Sequence, residues 1–170
     1  MIYERADRSF DRTKILQRGL ADIQKFDGQV ERRATLLRKM IELNEPAERI
    51  AWVSGELASY ELRIDPPTIL TMSEDEIRRA PSKHGWASPS SHQISVRADL
   101  CSCRLAAVVA HECQHRKQMI EGRFMQLLGK GQSESDAEKY EQGFKRRFLS
   151  GVRCSCRRRL SVDYSHLLNR

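Results

Sequence analysis

The stretch Val108-Val109-Ala110-His111-Glu112-Cys113-Gln114-His115 constrains this chain more than any other. It lies within residues 102–121, an apolar-periodic segment closed by Gly122, and the pattern predicts one helix there. Four residues advance a helix by about 400°, so His111 and His115 stack one turn apart and can share one metal ion. Glu112 falls about 100° round from His111, beside the ligands, where a carboxylate can take a proton from water. With five histidines and fourteen glutamates in 170 residues, chance spells H-E-x-x-H in about one such chain per hundred. Leu105, Val108 and Val109 give the same helix an apolar back wall.

Two histidines do not complete a catalytic metal site, which takes three protein ligands and keeps a fourth position open. His84, His92 and His166 are candidates. Ser133-Glu134-Ser135-Asp136-Ala137-Glu138-Lys139-Tyr140-Glu141 offers more. There Ser133 can cap a helix over 133–149, with Glu134 in its first turn. Ala137 is small enough to admit the metal-binding helix closely, and Glu138 lies one turn below Glu134 on the same face. Glu134 is the preferred third ligand and Glu138 the second choice.

The surrounding chain reads as mostly helical α+β. Leu16, Leu20, Ile23, Val30, Ala34, Leu37 and Ile41 form a heptad-like seam over residues 9–44, broken at Asp27-Gly28. After Asn44-Glu45-Pro46 a second helix over 46–62 carries Ile50, Trp52, Val53, Leu57 and Tyr60. An intramolecular hairpin is favoured over a dimeric coiled coil, with oligomerisation through these helices the alternative. Thr68-Ile69-Leu70-Thr71-Met72 and Gln93-Ile94-Ser95-Val96 read as short strands. Ser73 with Glu76 forms a capping-box pattern, residues 81–91 read as a loop, and Gly129 and Gly131 mark a second loop before the 133–149 helix. The expected organisation is a helical arm or hairpin over 1–64, a short β-sheet with the H-E-x-x-H and third-ligand helices over 65–150, and a tail over 151–170.

Charge separates these parts. The formal net charge is +7, and all of it lies in residues 144–170, where eight basic residues face Asp163 alone. The remaining 143 residues balance, which argues against a chain that is basic throughout, of histone or ribosomal type. Arg157-Arg158-Arg159 and Lys145-Arg146-Arg147 could contact nucleic-acid phosphate, or form a solvated end. The longest apolar run is far below the ~18–20 residues of a membrane span, and no apolar leader follows Met1, so the expectation is a cytoplasmic protein with no membrane partner. Cys101-Ser102-Cys103 and Cys154-Ser155-Cys156 are twin triplets. Free thiols are the first reading, a structural zinc on Cys101, Cys103, Cys154 and Cys156 the second, and disulfides the third. Cys113 reads as a small apolar filler.

H-E-x-x-H at His111, Glu112 and His115, with E-x-x-A-x-x-Y at Glu134, Ala137 and Tyr140 and a glutamine at Gln118, resembles the compact glutamate-type zincins, the minimal zinc metallopeptidases. The resemblance covers about residues 65–150. It implies Zn²⁺ held by His111, His115 and Glu134, peptide-bond hydrolysis, and a strand whose edge aligns a peptide substrate, with 93–96 the candidate strand. Such a metal lowers the pKa of the water it holds towards about 7, and Glu112 passes that proton to the leaving amine. Tyr140, His84 or His92 could assist at the carbonyl oxygen. The expected function is therefore a zinc-dependent metallopeptidase acting on protein or peptide. The alternatives are a catalytically silent binding module of the same fold and a nucleic-acid-associated protein using the basic tail. An intact Glu112 favours catalysis.

Overall fold

The structure, a computed structural model, describes residues 12–123 and 129–154. The basic tail beyond Cys154, with Cys156, His166 and Arg157-Arg158-Arg159, lies outside them. Among the described residues the chain is mostly helical α+β. The elements are α1 (Arg12–Glu42), α2 (Ala47–Leu62), β1 (Thr68–Thr71), α3 (Glu74–Arg79), β2 (Gly85–Ala87), β3 (Gln93–Val96), α4 (Ser102–Ile120) and α5 (Gly129–Phe144), which runs into a π-helical turn, Lys145–Leu149. No helix among them is long and apolar enough to cross a membrane.

The α1 seam divides in two. Ala34, Leu37 and Ile41 are buried against α2, whereas Leu16, Leu20 and Ile23 are each more than half exposed. The break falls where the sequence places Asp27 and Gly28, and the hairpin therefore uses only the C-terminal half of α1. Phe26 stacks on Tyr60 of α2 with ring centroids 4.8 Å apart, and the Arg33 guanidinium lies 4.4 Å from the Tyr60 ring centre. Helix α2 is also the main partner of α4, and one hydrophobic cluster runs from Leu37 through Ile50 and Leu57 to Val109 and Phe144. That cluster holds residues from both sides of position 64.

Local signals fix several ends. Arg63 closes α2 in the left-handed region at φ 57°, and Gly122 at φ +67° follows α4, where a residue without Cβ carries no steric cost. The Ser73–Glu76 capping box is formed in both directions. The glycines at 129 and 131 do not make a loop: α5 begins at Gly129, so Ser133 is no cap and Glu134 lies in the second turn. Ser133 is instead buried at the α4–α5 contact, where its carbonyl accepts a 3.0 Å hydrogen bond from Gln118 Nε2.

The sheet has the order β1-β3-β2, with β1 parallel and β2 antiparallel to β3. This corrects the expected substrate strand. Strand β3, residues 93–96, is central and paired on both sides, so it has no free edge. The edge strand is β2, which lies within the 81–91 segment expected to be loop. Arg97 N–H bonds the His84 carbonyl and Ser88 N–H bonds the Gln93 carbonyl, both at 3.0 Å. Antiparallel alternation then turns the backbone groups of Gly85 and Ala87 away from β3, onto the unpaired edge.

Candidate metal centre

His111 and His115 project from the middle of α4, and Glu134 reaches them from α5, which approaches closely because Ala137 at the contact is fully buried. One Glu134 carboxylate oxygen lies 3.5 Å from His111 Nε2 and 3.5 Å from His115 Nε2. The donor atoms of the three residues all lie within 4.8 Å of one another, and they could hold a metal ion. Tetrahedral ligands on ~2.0–2.1 Å bonds sit about 3.3 Å apart, close to the 3.5 Å spacing seen here. Glu138 is exposed and outside the group.

Neighbouring polar groups decide which imidazole nitrogens are free. Gln118 donates its amide to Ser133, so its carbonyl oxygen is the atom that meets His115 Nδ1 at 2.9 Å. An oxygen acceptor there requires the proton on Nδ1, which puts a lone pair on Nε2, facing Glu134, where it can ligate a metal. Around His111 a similar arrangement recurs with Glu141, whose carboxylate lies 3.2 Å from Nδ1. That contact is close enough for an ion pair but too far off line for a hydrogen bond, so this buried Nδ1 has no hydrogen-bond partner. Burial alone would lower the His111 pKa, but the Glu141 contact and the charges of Glu112, Glu141 and Glu134 outweigh it and raise it. Burial works against Glu141 as well, yet His111 and Lys145 bring its pKa down to about 2.

Glu112 lies beside the ligands in a different environment. It is 6% exposed, and burial pushes its pKa up to about 7, with His111 opposing and Glu134 adding to the rise. Its methylene packs against Gly85 of β2, where a Cβ added to the glycine would stand 3.1 Å from Glu112 Cγ and 2.9 Å from Val108 Cγ1. Strand and helix touch there only because residue 85 has no side chain. The edge strand is therefore held directly over the candidate base.

A cavity of about 370 Å³ opens onto this group, walled by Lys83 to Ala87, Arg104, Val108, Met119 and the four polar residues just described together with Glu141. Of the three candidate assistants only His84 lines it. Burial, then Arg104 and Arg97, hold the His84 pKa below its ordinary value. Tyr140 is turned away: its hydroxyl donates to Glu61 at 2.6 Å, and Arg147 meets the same carboxylate at 2.8 Å. His92 is occupied by Arg116, whose Nε donates to it at 3.1 Å. Sequence reasoning misses Glu141, although its place seven residues beyond Glu134, two turns along one face, is the signal that could have found it. Among the described residues no disulfide joins Cys101, Cys103, Cys113 and Cys154. Cys154 Sγ accepts from the Cys103 N–H at 3.4 Å, but among the described residues the histidine–glutamate group is the convergent metal-ligand set. Cys113 is fully buried, and burial raises its thiol pKa to about 12, as befits a core filler.

Gln118→Ala should leave the helix formed but free the His115 ring to rotate and change tautomer. Metal affinity should fall about 10–100-fold, read by competition against a chromophoric chelator.

Compared with protein-family models, curated proteins and solved structures, the chain finds no match.

Proposed function

We propose that this chain is a zinc-dependent metallopeptidase. The observation that carries the reading is the convergence of Nε2 from both histidines on the Glu134 carboxylate, with the buried Glu112 beside them. Two imidazoles and one carboxylate with an adjacent open cavity match the donor set of catalytic zinc, which keeps one position for water. When bound there, zinc supplies a lowered water pKa and polarises a carbonyl oxygen.

The chain's own groups do the rest. Glu112 takes a proton from the attacking water at Oε and returns it to the departing amine nitrogen, a role that suits a carboxylate whose pKa burial places at about 7. His84, kept neutral on the cavity wall, donates to the oxygen on which negative charge develops. The unpaired backbone groups of Gly85 and Ala87 on the β2 edge pair with an extended substrate and set its carbonyl against Glu112. Glu141 and Gln118 hold the two imidazoles in register.

Full-length protein stripped of metal and given a mixture of quenched fluorescent peptides should be silent. Cleavage should return with one equivalent of zinc and disappear again with excess chelator. Peptides that stay intact at every zinc level would contradict the reading.

A further inference from the structure

The cavity carries two cations that the proposed hydrolysis does not use. Lys83 stands in the turn before β2, its N–H bonded to the Ala80 carbonyl at 3.0 Å, and Arg104 stands in the first turn of α4. Both side chains are exposed, and both line the cavity. Among the described residues neither lies within ion-pair distance of a carboxylate, whereas Lys145, which lines the neighbouring groove, is held by Glu141 at 2.6 Å.

The position of Arg104 is itself unfavourable. A helix N-terminus carries positive partial charge and favours anions, yet the first turn of α4 contains no acidic residue. The arginine therefore adds to a positive end without a local partner to offset it. With a divalent metal seated, its charge is matched by Glu112 and Glu134, and Glu141 is matched by Lys145. Lys83 and Arg104 remain as an uncompensated pair at the mouth of the site. The same sign continues outward, because Arg104 is shared with a neighbouring groove that Arg146 also lines. The chain's excess charge otherwise lies towards its C-terminus, so this patch is a local feature of a body that is neutral in sum.

We propose that Lys83 and Arg104 select substrates carrying carboxylates close to the scissile bond, so that acidic peptide segments are the preferred substrate class. This rests on the peptidase reading. A low-dielectric cavity with one sign of charge on its lip concentrates ligands of the opposite sign and speeds their capture. The carboxylate could belong to Glu or Asp side chains or to a peptide C-terminus, and both would meet the same two cations.

The test compares quenched fluorescent peptide mixtures that differ only in containing Glu, Gln or Lys at the randomised positions, each made as free acid and as C-terminal amide. Zinc-loaded, full-length protein should show kcat/KM about tenfold or more higher for the Glu mixture than for the Gln mixture, with the gap narrowing as salt is raised. A Glu-over-Gln gap that persists in the amides assigns the effect to side chains, and faster cleavage of free acids than of amides, with Glu and Gln alike, assigns it to the C-terminus. Either form supports the inference. Lys83→Gln/Arg104→Gln should erase the preference, and Lys83→Glu/Arg104→Glu should turn it towards Lys, with zinc content at the wild-type level. Equal cleavage of the Glu and Gln mixtures, with free acids and amides also cleaved equally, would overturn this inference and leave the peptidase reading standing. Cleavage of none of the mixtures would overturn both.

Discussion

Glu112→Gln should lower kcat/KM for peptide hydrolysis by about 10²–10⁴-fold while zinc content and thermal stability stay at wild-type values. The amide is the same size as the carboxylate and fits beside Gly85 and Val108 without a new contact. It cannot accept a proton at neutral pH. Because the side chain is buried at 6% exposure, replacing an ionisable group by a neutral one removes a desolvation cost, so a stability loss is not expected. Steady-state kinetics beside metal analysis and a melting curve read all three quantities. Activity within tenfold of wild type would remove Glu112 from the proposed chemistry.

The largest stability effect should come from Phe144→Ala. Phe144 is fully buried at the end of α5, edge-on to Phe148 with centroids 5.0 Å apart and tilted against Tyr140 at 6.3 Å. Truncating such a ring costs about 3–5 kcal/mol, against a total of about 5–15 kcal/mol for a domain. Its position makes the loss felt at the site, because α5 carries Glu134 and Glu141. The Tyr140–Glu61–Arg147 cluster and the 3.1 Å bond from Arg38 Nε to the Phe148 carbonyl anchor the same region to α2 and α1. Denaturant unfolding should show a midpoint displaced far to lower concentration, with metal affinity weakened in parallel. A change below about 1 kcal/mol would mean that this junction does not hold the site together.

Much of the centre is legible in the sequence because it depends on helical periodicity. His111 and His115 one turn apart and the Ser73–Glu76 box are short-range patterns that backbone geometry converts directly into position, whereas Glu134, chosen from a helix start that the structure places four residues earlier, is brought to the histidines by the packing of α5 on α4. The sheet is less legible. Gly85-Trp86-Ala87 has neither the length nor the β-branched content of a strand, and it pairs only because β3 presents a ladder beside it. Which of three strands lies in the middle is a tertiary property, so residues 93–96 read as a strand without revealing that both their edges are filled.

Two other differences have clear physical causes. Gly129 and Gly131 each cost a helix about 1 kcal/mol relative to alanine, which is why they read as loop. Tertiary contacts overrule that preference in α5, where the Gln118–Ser133 bond ties the following turn to α4. Tyr140 fits the cavity by spacing alone, but it lies about 100° round the helix from Glu141 and turns to Glu61. A carboxylate on α2, 79 residues away, gives no local signal in the sequence around Tyr140. Likewise the exposed half of α1 has the same apolar spacing as its buried half. Asp27-Gly28 marks the break between them, and α2, 16 residues against 31, is too short to cover both.

The central claim is that His111, His115 and Glu134 hold one zinc ion, and zinc stoichiometry measured on purified full-length protein beside Glu134→Ala tests it most directly. The account predicts one tightly held zinc per chain in the wild type and loss of that ion in the variant, with the helical content of the two proteins alike. Wild-type protein that takes up no zinc from a zinc-buffered solution, or Glu134→Ala protein that retains it with undiminished affinity, would contradict it.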